Sequence, residues 1–259
     1  MLLVIDVGNT NTVMGLFDGD EVLLDFRIRT ESRITEDEFN ILVSGLFKNE
    51  NVKLSDIKNT ILSSVVPQMM NVLEAFCNKY LGHKPHWVDH ESVKQHMPIL
   101  YDNPLEVGAD RIVNSVAAYE KYKKSLIIID FGTATTLDVI SEKGEYLGGV
   151  IIPGVMISSE ALFQRASKLP RVDLLKPPAS VIGKNTADSI KSGIIHGYAS
   201  MVDGMVKKIS KEGDLSPKIL ATGGLAPLIN DVSETIEKVE SSLTLEGLRI
   251  ISKNLKLIG

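Results

Sequence analysis

The chain has 259 residues, 44% of them hydrophobic and 24% charged, which supports a sizeable core in one large or two small domains and excludes general disorder. Twenty-eight Lys and Arg against 33 Asp and Glu leave a net charge of −5, so no overall field draws the chain to nucleic acid or to an anionic membrane. The single cysteine, Cys77, excludes an intrachain disulfide or a cysteine zinc cage and fits a reduced, cytoplasmic setting.

Residues Met1 to Ile5 run into Asp6 with no basic stretch ahead and no cleavage pattern behind, so no export signal is expected. Leu3-Val4-Ile5 predicts a buried strand ending in Asp6-Val7-Gly8-Asn9-Thr10-Asn11-Thr12-Val13. Asp18-Gly19-Asp20 before Glu21-Val22-Leu23 predicts a tight turn. Thr35 and Glu38 make a capping-box pattern, and Phe39, Leu42, Val43 and Leu46 follow at helical spacing. Thr60–Val66 reads as a buried strand, Pro67 as the opening of a helix over Gln68–Tyr80, and His86-Trp87-Val88 as a short strand. Ala109–Tyr122, with Ile112, Val113, Val116 and Tyr119 on one stripe, predicts a helix bridging two halves of the chain.

The second half opens like the first. At an offset of 124 residues (Asp6 against Asp130) the chain reads Ile127-Ile128-Ile129-Asp130-Phe131-Gly132-Thr133-Ala134-Thr135-Thr136-Leu137, with a turn signal at Lys143-Gly144-Glu145. Helices are expected over Ala161–Ala166, Ala187–Ile209 and Leu245–Asn254, and a strand over Lys218–Ala221 closed by Thr222-Gly223-Gly224. The apolar stretch Gly148–Ser158 is too short and too interrupted to span a membrane. Strands followed by mixed helix and strand, twice over, predict two α/β domains, 1–115 and 116–259, with a ligand cleft between them.

The two Asp-x-Gly turns carry the chemistry. Glycine lets the backbone approach a ligand, and free amides with the hydroxyls of Thr10 and Thr12 can donate to phosphate oxygens. Asp6 at a strand end can reach the same phosphates through a magnesium-bound water, and Asp130, Gly132, Thr133, Thr135 and Thr136 offer the same repertoire. One such turn alone reads as an ordinary polar-capped hairpin; two at corresponding positions point to a polyphosphate held from both sides. Thr222-Gly223-Gly224 is a third approach, near the nucleoside. Neither a Walker loop nor a dinucleotide fingerprint occurs. An acceptor needs a carboxylate to take its hydroxyl proton, and Tyr101-Asp102-Asn103-Pro104 through Val107-Gly108-Ala109-Asp110-Arg111 places Asp110 in the first turn of the bridging helix. Arg111 beside it can pair with an anionic substrate; the plain alternative is that Asp110 complements the helix dipole and Arg111 is solvated.

Other conspicuous residues read as structural. His83, His86, His90 and His96 lack zinc-site spacing, His196 reads as a packed or interface residue, and Met69-Met70 as core filling. Asp138 reads as facing solvent, and Lys121-Tyr122-Lys123-Lys124 as a solvated helix end.

Asp6-Val7-Gly8-Asn9-Thr10, Gly108-Ala109-Asp110-Arg111, Asp130-Phe131-Gly132-Thr133-Ala134-Thr135-Thr136 and Thr222-Gly223-Gly224, in this order, resemble the type III pantothenate kinases. Gly148-Gly149-x-Ile151-x-Pro153-Gly154 and Gly183-x-Asn185-Thr186-x-x-Ser189 extend the resemblance, which runs from Leu2 to Leu248. It implies two ribonuclease-H-like domains of the acetate and sugar kinase, heat-shock protein and actin superfamily, in a homodimer. It also implies phosphorylation of pantothenate by ATP, the first step of coenzyme A synthesis. Carried over by position, Asp6, Val7, Gly8, Asn9, Thr10, Asn11, Thr12 and Val13 form the first ATP loop and Thr133 is a further ATP contact. Asp130 is the ligand of a monovalent cation, potassium or ammonium, with Mg2+ accompanying ATP. Asp110 is the proton acceptor, and Tyr101, Gly108, Ala109, Arg111 and Thr186 surround pantothenate. Three other readings compete: a two-metal nuclease of the same fold, a kinase of another small hydroxylated acceptor, and a catalytically silent transcriptional accessory protein. The acidic balance opposes the nuclease, and the intact Asp6, Asp110 and Asp130 oppose a pure binder.

Overall fold

A computed structural model describes residues 1–257. Strand β1 (Leu2–Val7) is buried at every residue but Asp6, as an apolar run covered on both faces must be. β2 (Asn11–Asp18) returns antiparallel beside it and β3 (Glu21–Arg29) continues the meander, while β4 (Asn59–Ser64) lies parallel on the other side of β1, followed by β5 (His86–Trp87). The order is therefore β3-β2-β1-β4-β5.

The alternation of β1 sorts its two faces. Leu3, Ile5 and Val7 pack with Phe39, Val43 and Phe47 of α1 (Glu36–Asn49) and with Leu73 and Phe76 of α2 (Pro67–Phe76). The Thr35 capping box forms as expected, the Glu38 N–H donating to Thr35 and the Thr35 N–H to Glu38. Leu42, expected on the apolar stripe, is 45% exposed; the stripe is completed by Phe47 instead. Of the methionine pair, Met69 enters the core and Met70 points out. The helix after Pro67 does not continue as one regular helix to Tyr80: Cys77–Leu81 form a widened π turn that ends at Gly82 with φ +75°. Short α3 (His90–Val93) was not foreseen, and α4 (Ala109–Tyr122) coincides with its expected span.

A second sheet repeats the first. β6 (Leu126–Phe131) is flanked by antiparallel β7 (Ala134–Ile140) and parallel β9 (Lys218–Thr222), with β8 (Tyr146–Pro153) beyond β7 and β10 (Lys238–Val239) beyond β9. Ile127, Ile129 and Phe131 pack with Val155 of α5 (Val155–Arg165), with Ile195, Tyr198, Val202 and Val206 of α6 (Thr186–Glu212), and with Ala226 and Ile229 of α7 (Ala226–Asn230). α5 begins six residues before the expected Ala161, because Gly154 can serve as its N-cap (φ −67°, ψ 157°) directly after β8.

Two compact units result, Met1–Lys121 with the C-terminal stretch from Leu243, and Tyr122–Ser242. The expected division at 115/116 differs in two respects. α4 stays with the first unit almost to its end, and α8 (Leu243–Asn254) returns to that unit. Leu245 of α8 packs beside Gly15 of β2, Thr244 donates to Asn114 of α4 at 2.7 Å, and Arg249 pairs with Glu246 and with Asp20 in the β2–β3 turn.

Asp138 corrects another expectation: it is fully buried on β7, accepting from the Tyr146 hydroxyl at 2.8 Å and from Thr136 at 3.2 Å. β7 is buried at every residue from Leu137 to Ile140, so alternation alone could not tell an inward carboxylate from an outward one.

Within the second unit, Asp203 of α6 clamps the segment leading to β10. Its carboxylate accepts from the hydroxyls of Ser233 and Thr235, each at 2.6 Å, and from the N–H groups of Glu234 and Thr235. Burial alone would raise its pKa; these hydrogen bonds outweigh it and hold the carboxyl below the ordinary carboxylate range. Asp203→Ala is expected to lower the unfolding free energy by about 3 kcal/mol at neutral pH, because it strands several donors. With the folded-state pKa depressed, the carboxylate's contribution is fully present above the ordinary carboxylate range and is lost as pH falls below that range and through the lowered folded-state pKa. Urea titrations of the wild type and Asp203→Asn at neutral pH and at about pH 3 check this, the two curves converging in acid.

Candidate functional site

Asp6 sits one residue from the end of β1, on the face opposite α1 and α2. There β4 brings Ser63 into register beside it, and the Ser63 hydroxyl donates to Asp6 Oδ1 at 2.6 Å. Burial is the main reason the Asp6 pKa is pushed up to about 7; the Ser63 hydrogen bond pulls it down, and the charge of Asp110 raises it further.

Beyond Asp6 the chain turns through Gly8, Asn9, Thr10 and Asn11, with the Gly8 N–H donating to the Asn11 carbonyl at 3.0 Å. Asn9 and Thr10 are exposed at the tip. Thr30, the first residue after β3, braces this turn. Its hydroxyl donates to the Gly8 carbonyl at 2.7 Å, its N–H donates to the Thr10 carbonyl, and buried Thr12 lies 3.0 Å from its Oγ1. The tip is thus fixed from beneath while its outer groups face outward, the arrangement an anion-binding loop needs.

The expected acceptor segment meets this loop within the same unit. The Val65 N–H donates to the Val7 carbonyl at 3.1 Å, and Val65 lies beside Gly108. A Cβ on Gly108 would come within 2.6 Å of Asp110 Oδ1, so only glycine leaves that carboxyl its place. The Arg111 N–H donates to the same oxygen at 2.8 Å, and the Gly108 carbonyl accepts the first bond of α4, from Ile112. Burial raises the Asp110 pKa, against the Arg111 N–H and the Arg111 charge, which lower it. Arg111 is buried, so the reading of a solvated neighbour does not hold. Ala109 opens α4, and Tyr101 is half-buried in the bend before the turn Pro104–Glu106, which Asn103 caps.

In the second unit Asp130 stands between Thr136 of β7 and Thr222 of β9, both in register with it. Gly223 has φ +90°, and a Cβ there would fall 2.6 Å from Asp130 Oδ1, so the Thr222-Gly223-Gly224 turn closes directly on this carboxylate. The loop beside Asp130 is shorter than its counterpart: three residues, 132–134, separate the last pair Phe131–Thr135, against four, 8–11, between Val7 and Thr12. Gly132 and Thr133 are exposed. Their support comes from Gly154, the first residue after β8, packed so closely that a Cβ would lie 2.1 Å from the Thr133 carbonyl oxygen. Tyr198 of α6 holds this junction by donating to the Pro153 carbonyl at 2.7 Å. Thr186 is exposed at the N-terminus of α6, where Asn185 caps the helix and Ser189 and Ser192 tie back to the carbonyls of Gly183 and Val181.

Within the first unit, then, the structure brings together Asp6, the first loop, Gly108 and Asp110. Within the second it brings together Asp130, the 132–134 loop and Gly223. Ser63, Thr30 and Tyr198 were not singled out by sequence, although Ser63 is a hydroxyl in the apolar run Ile61-Leu62-Ser63, a signal that could have found it. Among the described residues no group of three or more His, Cys, Asp and Glu side chains could hold a metal alone. Asp6 and Asp130 are single hard-oxygen donors of the kind that share a cation with phosphates. No helix of the described residues is long and apolar enough to cross a membrane.

A sequence profile of the type III pantothenate kinases matches residues 2–208. A type III pantothenate kinase of Desulforapulum autotrophicum is 65% identical over 252 residues, 97% of this chain and 96% of that protein. One of Desulfatibacillum aliphaticivorans is 65% identical over 97% of each, and one of Geobacter sulfurreducens 55% identical over 97% and 98%. Among solved structures, the activator of 2-hydroxyisocaproyl-CoA dehydratase from Clostridium difficile superposes with TM-score 0.55 at 11% identity, over 100% of this chain and 98% of that one. Component A of (R)-2-hydroxyglutaryl-CoA dehydratase from Acidaminococcus fermentans gives 0.54 at 16%, over 96% and 94%. These likenesses concern the fold alone: two duplicated ribonuclease-H-like domains, each built on a five-stranded sheet of the same strand order.

The raised pKa of Asp6 makes a prediction about stability. Between the ordinary carboxylate range and about 7 the folded protein holds a proton that the unfolded chain has lost, so this residue lowers stability as pH rises through that window. Asp6→Asn is expected to have a higher Tm than the wild type. The excess should grow from about pH 4 upward and level off above about 7. Thermal unfolding by circular dichroism across that range checks it; a pH-independent difference would contradict it.

Proposed function

The chain belongs to the type III pantothenate kinase family, and from that premise we propose that it transfers the γ-phosphoryl group of ATP to pantothenate, giving ADP and 4′-phosphopantothenate at the start of coenzyme A synthesis. The observation that carries the reading is the Asp110 carboxyl, recessed over Gly108 at the opening of α4 and within electrostatic reach of Asp6. Asp110 accepts the proton of the pantothenate hydroxyl as that oxygen attacks the γ-phosphorus and ADP leaves. Tyr101, Gly108, Ala109, Arg111 and Thr186 hold pantothenate, the Arg111 guanidinium facing its carboxylate. The turn from Asp6 through Val7, Gly8, Asn9, Thr10, Asn11, Thr12 and Val13 binds the phosphates of ATP by its N–H groups and hydroxyls, and Thr133 is a further contact.

A kinase of this family uses ATP with a divalent metal. We take that metal to be Mg2+, reached by Asp6 through water, and Asp130 to hold a monovalent cation, potassium or ammonium. The donor chemistry fits, since a carboxylate with threonines in register on both sides, as at Asp130, suits a hard cation that completes its shell with phosphate and water. When bound, these cations neutralise and orient the phosphates.

The working form is a homodimer in the cytoplasm. Supporting a second copy is the apolar surface of the second unit, where Ile151 on β8 and Met156, Ile157, Leu162 and Phe163 on α5 are exposed. A groove of about 460 Å³ lies there, lined by Met156, Ile157, Glu160, Ala161, Gln164 and Arg171. Partners other than ATP, pantothenate and the second copy are not proposed; neither nucleic acid nor membrane is among them.

ADP release from the purified protein with Mg2+ and ATP should require pantothenate and should be faster in potassium than in sodium buffer. Pantothenate-independent release would leave an ATPase, and no release would favour the accessory-protein reading. Asp110→Asn should retain ATP and pantothenate binding and lose about 10²- to 10⁴-fold in turnover, the usual worth of a general base. Asp130→Ala should weaken ATP binding and abolish potassium stimulation; unchanged potassium dependence would move the cation elsewhere.

A further inference from the structure

Ser63 is fully buried in a strand that is otherwise apolar at Ile61 and Leu62, a place where a hydroxyl without a partner costs stability and an alanine would not. Its explanation lies one strand away. β4 and β1 are parallel and in register, so Ser63 and Asp6 project from the same face as direct neighbours, and the hydroxyl proton goes to Asp6 Oδ1 at 2.6 Å, the length of a charge-assisted O–H···O bond. Among the described residues it is the side chain that donates to Asp6. The second unit repeats the placement with different residues: Thr222, on the parallel neighbour of β6, stands in register with Asp130. In both units the central-strand carboxylate therefore has a hydroxyl residue on its parallel side, whereas its antiparallel neighbours differ, Val13 in one and Thr136 in the other.

We propose that Ser63 is a positioning residue for ATP binding, its hydroxyl fixing the rotation of the Asp6 carboxylate so that Oδ1 is committed to the fold and Oδ2 is kept for the hydrated cation and phosphates of the nucleotide. A hydroxyl has one proton to give, so a single bond from a rigid strand selects one carboxylate oxygen and leaves the other available. Held only by its own torsion, the carboxylate would rotate and have to be ordered again at each binding event. The proposal rests on the reading of Asp6 as part of the ATP loop.

The test is a double-mutant cycle on Asp6 and Ser63, read as the Kd of Mg·ATP by calorimetry without pantothenate, alongside steady-state kinetics. Ser63→Ala should weaken Mg·ATP binding on the order of tenfold, as loss of one charge-assisted hydrogen bond does. It should raise KM for ATP while leaving KM for pantothenate unchanged. Ser63→Thr, which keeps the hydroxyl, should restore binding to within about threefold. In an Asp6→Asn background, Ser63→Ala should change Kd less than about twofold, because the group it acts through has gone. Should Ser63→Ala not fold, Ser63→Cys, with similar volume and a weak donor, carries the same expectation. Full Mg·ATP affinity in Ser63→Ala beside weakened binding in Asp6→Asn would overturn the proposal alone. So would an equal loss in both backgrounds, which would mark an effect of packing. Unchanged affinity in Asp6→Asn would overturn the underlying reading of Asp6 and the proposal with it.

Discussion

Placing a carboxylate at the end of a strand that is buried on both faces is the constraint around which each unit is arranged. β1 and β6 must be apolar throughout to lie between two packed layers, and an ionisable group is tolerated only where the strand runs out. Asp6 and Asp130 occupy that position. Their strand neighbours and the turns that follow are set by it: a hydroxyl residue on the parallel strand, a glycine immediately past the next residue, and a tight turn that keeps bulk away from the carboxyl. For Asp6 the outcome is a group whose pKa is pushed up to about 7, recessed yet next to exposed loop atoms. A group in that condition is poorly placed for stability and well placed to meet a cationic or hydrated ligand.

The two copies have diverged in how the turn is supported, although the support enters at the same point of the topology. Where β3 ends, Thr30 reaches up with a side chain and satisfies carbonyls of the four-residue turn. Where β8 ends, Gly154 contributes no side chain and instead lets its backbone press against the three-residue turn at Thr133. The shorter turn leaves no room beneath it, and Tyr198 secures the approach from the α6 side. The two hairpins thus end in loops of different size and different hydrogen-bonding surface.

Much of this was legible because it is written locally. The Thr35–Glu38 cap, the span of α4 and the Asp-x-Gly turns depend on residues within a few positions of one another, so spacing alone reveals them. Asp138 shows where that stops. Period-two alternation says that Thr136 and Asp138 share a face, but in a strand buried on both sides from Leu137 to Ile140 neither face is water, and the carboxylate is buried against Tyr146. Leu42 shows the same for a helix, since an apolar residue near the stripe is buried only if a neighbour is there to cover it. The stretch from Leu243 reads plainly as an amphipathic helix, yet nothing in its pattern says that it covers β1, β2 and β4 rather than the sheet nearest it in sequence.

The sequence by itself determined the duplication, the two strand-end aspartates, the glycine turns after them and an acidic first turn on α4. Each follows from short-range sterics and from the residue types that a tight turn after a buried strand admits. Only the tertiary structure decided which strand lies beside which carboxylate and which glycine leaves room for it. Parallel pairing of β1 with β4, and the approach of Gly108 and Asp110 to Val65, join residues far apart in the chain. A face has a period, but a partner has no local code, so Ser63 beside Asp6 became visible only once the strands were side by side.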